Sequence, residues 1–88
     1  MPQRSVIVAS EHGLHARPAQ EFVAAATASG AEVTISKVDG APVSASSILS
    51  VMSLGVKQGD TVVLAAEGEG ADEAVDSLAT RLENPQDN

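Results

Sequence analysis

Apolar positions along the chain alternate between two rhythms, one repeating every second residue and one recurring at helical spacing. Ser5-Val6-Ile7-Val8-Ala9 is short and rich in β-branched residues, with Val6 and Val8 on one face and Ile7 on the other, and predicts a strand over 4–9. Ser10-Glu11-His12-Gly13 ends it. From 16 to about 29, Ala19, Phe22, Val23 and Ala26 fall on one face of a helix, with Gln20, Glu21 and Thr27 opposite. Pro18 suits the first turn, where its missing N–H has no intrahelical partner to lose, and Ser29-Gly30 supplies the stop.

The next stretch alternates strictly. Over 31–38, Val33 and Ile35 point inward against Glu32, Thr34 and Ser36, and Asp39-Gly40 is the strongest short turn signal in the chain. A second hairpin strand over 41–44 contains Pro42, which confines it to a sheet edge. Ser47 is a good N-cap for a two-turn helix over 48–54, closed by Gly55 with Val56 as its apolar contact. Lys57-Gln58-Gly59-Asp60 turns the chain into a strand over 61–67 whose inward set is Val62, Leu64 and Ala66. The last helix, over 71–83, aligns Val75, Leu78 and Leu82 behind Asp72 and Glu73 in its first turn. The polar tail over 84–88 contains Pro85 and is expected to be disordered.

The order βαββαβα fits an α+β chain. Each strand has one apolar face and each helix one apolar stripe, so the economical solution is an open-faced β-sandwich, a four-stranded antiparallel sheet with three helices on one face. Element order alone does not fix strand connectivity, and a ferredoxin-like arrangement is the nearest competitor. With 88 residues the chain supports one core and reads as a single domain over 1–88.

Composition narrows the function. The net charge of −7, with five Lys and Arg, argues against a nucleic-acid binder. No cysteine is present, which excludes disulfides and thiolate metal sites. The first residues lack the apolar run of a signal peptide, and no stretch reaches the length of a membrane span, so a soluble cytoplasmic protein is expected. Phe22 is the one aromatic residue, and the core must be aliphatic.

The chemistry concentrates in Gly13-Leu14-His15-Ala16-Arg17-Pro18-Ala19. His15 stands at a predicted helix start, where unpaired N–H groups and the positive end of the dipole attract anions. That field disfavours the imidazolium and leaves a ring nitrogen free to attack phosphorus, after which it favours the phosphoryl dianion. Arg17 adds a forked donor that matches phosphate oxygens. From the residues alone, a capping or surface histidine beside a solvated arginine is the commoner case. His12 has no cationic neighbour and reads as a turn residue, and its spacing to His15 identifies no further metal ligand.

This heptapeptide closely resembles the active-site signature of the HPr family, the histidine-containing phosphocarriers of the bacterial phosphoenolpyruvate:sugar phosphotransferase system. A second stretch, Ser47-Ile48-Leu49-Ser50-Val51-Met52-Ser53-Leu54-Gly55-Val56 with Gly59 beyond, is similar to the regulatory-serine segment of the same family. The resemblance implies a carrier rather than an enzyme, working without cofactor or metal. His15 would accept a phosphoryl group at Nδ1 from phosphorylated enzyme I and donate it to enzyme IIA components of sugar permeases, with Arg17 and the amides of Ala16 and Arg17 holding the phosphate. A nitrogen-regulatory paralogue is the alternative within the family. A ferredoxin-like regulatory module that never carries phosphate is the alternative outside it.

Ile48, Leu49, Val51, Met52 and Leu54 are more apolar positions than one face of a two-turn helix buries. Val51 and Leu54 are expected in the core, leaving Ile48, Leu49 and Met52, with Leu14, as a docking patch for partners. Ser47 aligns with the serine that a kinase phosphorylates in some family members, but Ser46 precedes it where a basic residue is usual, and a structural N-cap is the first reading. A serine kinase and transcription regulators are further candidate partners. Ala24, Thr27, Ser46 and Ser50 occupy positions where many members carry lysines, so docking should respond weakly to salt. A monomer is expected, with no membrane insertion.

Overall fold

The computed structural model describes residues 3–9 and 16–83, the side chains of 16–18 excepted. Its elements run β1 (Gln3–Ile7), α1 (Ala16–Ala28), β2 (Glu32–Lys37), β3 (Val43–Ser44), α2 (Ile48–Ser53), β4 (Thr61–Glu67) and α3 (Ala71–Glu83). The expected disordered tail lies outside the described residues.

The four strands form one sheet in the order β1-β4-β2-β3, with every neighbouring pair antiparallel. β1 and β2 therefore run parallel with β4 between them, and β3 and β4 run parallel with β2 between them. A ferredoxin-like sheet places its first and third strands side by side at the centre; here those two strands are the edges. Strand β3 is shorter than the sequence suggests, beginning at Val43 after Pro42 rather than at Ala41. The hairpin before it is closed by the N–H of Gly40 on the carbonyl of Lys37 at 2.9 Å, so Val38 and Asp39 are the central pair of the turn. That is one residue earlier than the Asp-Gly signal indicates.

Register sets the inner face. Val6 lies opposite Val62, Ile35 opposite Leu64 and Val33 opposite Ala66, and all six are buried. Ser5, Ile7, Val63, Thr34 and Ser36 point to the uncovered side. The helices cover the inner face: α3 packs on β1, β4 and β2, and α1 packs against α2 and α3. Ala71, Ala74 and Ala79 on the buried stripe of α3 let its axis approach the sheet closely, while Val75, Leu78 and Leu82 fill the space between. Ala19, Phe22 and Ala26 bring α1 into the same core, and burying Phe22 contributes roughly 2–3 kcal/mol.

Helix α1 stops as its sequence dictates. Gly30 adopts φ +78°, which a residue with a Cβ rarely does. The Ser29 hydroxyl donates to the Ala26 carbonyl at 2.7 Å and accepts from the N–H of Ala31 at 3.2 Å. The N–H groups of Ser29, Gly30 and Ala31 are thus all engaged as the chain enters β2.

Candidate functional site

Strand β1 delivers the chain towards the heptapeptide through Val8 and Ala9, and their backbone is tied on both sides. The N–H of Val8 donates to the Asp60 carbonyl at 2.9 Å, and the N–H of Gly59 donates to the Val8 carbonyl at 2.8 Å. The N–H of Ala9 donates to the Leu82 carbonyl at 3.0 Å, engaging a C-terminal carbonyl of α3 that has no partner within its own helix. The side-chain Nε2 of Gln58 donates to the Ala9 carbonyl at 3.3 Å. The 57–60 turn and the end of α3 thus fix the strand end from which residues 10–15 depart.

His15, Leu14 and His12 lie outside the described residues. The chain re-enters them at Ala16, the first residue of α1, so Ala16 and Arg17 hold helix-start positions whose N–H groups have no intrahelical acceptor. The two long helices differ here. The first turn of α3 carries Asp72 and Glu73, which complement its dipole, whereas the first turn of α1 carries no acidic residue. Arg17 instead places a cation where a helix start disfavours one. A helix start and an arginine side chain both favour a negative charge nearby.

Helix α2 abuts α1 and carries the second apolar set. Ser47 caps it from an extended conformation, its Oγ accepting from the N–H of Ser50 at 3.3 Å, and the N–H of Val51 reaches the Ser47 carbonyl at 3.0 Å. Val51 is fully buried, while Leu49 is 79% exposed and Met52 43% exposed. Ile48 departs from expectation. It is half-buried and packs against the core, as Leu54 does, so the free apolar surface of α2 is centred on Leu49 and Met52. Gly55, at φ +65°, closes the helix and turns Val56 back into the core.

Sequence reasoning missed the bracing of the 57–60 turn. The Asp60 carboxylate accepts from the N–H of Lys57 at 2.9 Å and lies 3.5 Å from the Lys37 ammonium. The backbone N–H of Lys57 holds the Asp60 carboxyl below its ordinary value; desolvation opposes it, and the ammonium groups of Lys37 and Lys57 add to the lowering. An acid three residues after an N–H it can cap is a local signal for such a turn. The reach of Gln58 to a residue 49 positions away has none.

An open antiparallel sheet under three helices, with a helix start that carries an arginine and no acid in its first turn, suits a protein that receives an anion there. A family profile described as PTS HPr component phosphorylation site matches residues 2–84. The phosphocarrier protein HPr of Streptomyces coelicolor is 53% identical over 79 residues, covering 90% of this chain and 85% of that one. The crystal structure of an HPr from Bacillus anthracis superposes with a TM-score of 0.88 at 40% identity, covering 92% of this chain and 95% of that one. A multiphosphoryl transfer protein of Salmonella typhimurium is 36% identical over 78 residues, which are 86% of this chain and 21% of that protein. The chain belongs to the HPr family, the phosphocarriers of the phosphotransferase system. It is a carrier, not an enzyme, and its partners belong to that system.

Proposed function

We propose that His15 is the phosphoryl acceptor, taking the group at Nδ1 from phosphorylated enzyme I and passing it to enzyme IIA components of sugar permeases. A lone pair on Nδ1 attacks phosphorus; the new P–N bond forms as the donor's bond to phosphorus breaks, and the same steps reverse on the next acceptor. The guanidinium of Arg17 and the N–H groups of Ala16 and Arg17 take up the phosphoryl oxygens, so the chain's contribution is positioning and charge stabilisation. One observation carries the reading: α1 begins at the residue after His15, with an arginine and no carboxylate in its first turn.

Leu49 and Met52 form the centre of the docking surface, with Ile48 supporting them from the edge of the core and Leu14 extending it. Ser47 serves first as the N-cap of α2, and a kinase that modifies it would add charge beside that surface. Residues 1–88 act as one domain, a cytoplasmic monomer. No helix among the described residues is long and apolar enough to cross a membrane.

The test is incubation with enzyme I and labelled phosphoenolpyruvate. Acid-labile, base-stable label on the parent and none on His15→Ala is expected; an unlabelled parent, or a labelled variant, refutes the assignment. Ser47→Ala, incubated with ATP and extract of the source cells, tests modification separately: an acid-stable signal unchanged from the parent dismisses Ser47 as the modified residue.

A further inference from the structure

We infer that Gln58 is a positioning residue for phosphoryl transfer, its side-chain amide holding the backbone of Ala9 and so setting where the segment that carries His15 leaves the sheet. The inference rests on His15 being the acceptor.

Four hydrogen bonds secure Val8 and Ala9, and they are not equivalent. Three join main chain to main chain, from Val8 to Asp60, Gly59 to Val8 and Ala9 to Leu82, and any substitution that preserves the fold preserves them. The fourth runs from Gln58 Nε2 to the Ala9 carbonyl and depends on one side chain. Gln58 is exposed, so no demand of core packing explains its presence. Holding a long polar side chain in one geometry also costs rotamer entropy. What the bond secures is the carbonyl of Ala9, two residues beyond the end of β1 and six before His15.

The turn beneath is built to present that amide. Gly59 takes φ +90°, which reverses the chain so that its own N–H reaches Val8 while Gln58 faces Ala9. Asp60 closes the turn through the Lys57 N–H and is steadied by Lys37 from the end of β2. Lys37 and Asp60 thus brace the turn from which Gln58 reaches Ala9 at one end of the sheet. Displacing Ala9 changes the lead-in of the acceptor segment relative to the fixed N–H groups at the start of α1. In-line transfer is sensitive to such shifts, since a misplacement of about 1 Å can cost a hundredfold in rate. With three bonds retained, the expected loss is smaller.

The experiment uses the full chain with enzyme I and phosphoenolpyruvate, comparing the parent with Gln58→Ala, Gln58→Glu and Gln58→Lys. Alanine removes the donor, glutamate keeps the length without an amide donor, and lysine restores a donor. Maximal transfer rates should fall about tenfold in the first two variants. Their KM for enzyme I should stay within about twofold, and their Tm within about 3 °C of the parent. The His15 ring resonances should shift in both, and Gln58→Lys should recover most of the rate. A Gln58→Ala protein that transfers within about twofold of the parent, or whose rate falls only in step with its Tm, overturns the assignment. If His15→Ala still takes label, the underlying acceptor reading fails whatever Gln58 does.

Discussion

The N–H of Ala9 and the carbonyl of Leu82 meet at 3.0 Å, joining the end of the first strand's path to the last turn of the last helix. The lead-in to the acceptor segment is thereby secured by an element more than seventy residues later, and the integrity of that lead-in depends on how firmly α3 is docked. The docking is firm because Leu82 is 3% exposed at the end of a stripe with Leu78 and Val75.

Leu82→Ala should destabilise the protein by about 2–4 kcal/mol through lost burial and the cavity left behind. Because the hydrogen bond to Ala9 is made by backbone, the variant keeps it whenever it is folded. Urea denaturation should show the full loss, while transfer measured well below Tm should remain close to the parent. A variant that retains its stability but loses transfer contradicts this division.

On α2, stability and docking should separate residue by residue. Leu49→Ser and Met52→Ser alter exposed positions, so their stability should change by no more than about 0.5 kcal/mol. Each should weaken association with enzyme I or a IIA domain by roughly 1–2 kcal/mol, read by calorimetric titration. Val51→Ala, at a fully buried position, should do the reverse. Because Lys37 is already paired with Asp60, few cations remain to steer partners, and raising salt should change the transfer rate little. A steep fall in rate with salt rejects the apolar docking surface.

Ser47→Ala removes the oxygen that accepts from the Ser50 N–H and should cost about 1 kcal/mol, whereas Ser47→Asp should restore most of it. Thermal denaturation of the two variants decides the point. Equal melting temperatures for the parent and the alanine variant remove the capping role.

Asp60 makes acid sensitivity local. Its folded carboxyl titrates below the unfolded value of 3.8, chiefly because the Lys57 N–H bonds the charged form. A depressed folded value means a contribution fully present above the unfolded value and lost as pH falls through the folded one. Between the parent and Asp60→Asn, the stability difference should therefore shrink as pH drops below about 4, with carbon-13 titration of the Asp60 carboxyl as the direct check. A carboxyl titrating above its ordinary value contradicts the bracing.

Periodicity carries the elements of this fold well because each is amphipathic. Ala19, Phe22 and Ala26 mark the buried side of α1, and Val62, Leu64 and Ala66 that of β4, in sequence and structure alike. The pairing of β1 with β4 is not legible, since register between residues such as Ser5 and Val63 is decided by which packed layers close, not by neighbours in sequence. Strand β1 ends at Ile7 although Val8 continues the alternation, because Val8 and Ala9 find their partners in a turn and a helix end instead of a strand. Ile48 lies outside the reach of a two-turn helical pattern, its half-burial being set by where α2 sits on the core. The chemistry of His15 and Arg17 is legible as residue types beside a helix start; the anchoring of their lead-in by Gln58 and Leu82 is a tertiary fact.

Arg4, on the helix-facing side of β1, bridges Asp76 and Glu83 at 3.3 Å each. As exposed ion pairs these add little to stability, but they report that the two ends of the described chain lie side by side. A unit whose ends meet can be spliced into a longer polypeptide through a single seam, without spreading the host chain. Such a fold is suited to travel as a cassette, and 78 residues of this chain match 21% of a multiphosphoryl transfer protein.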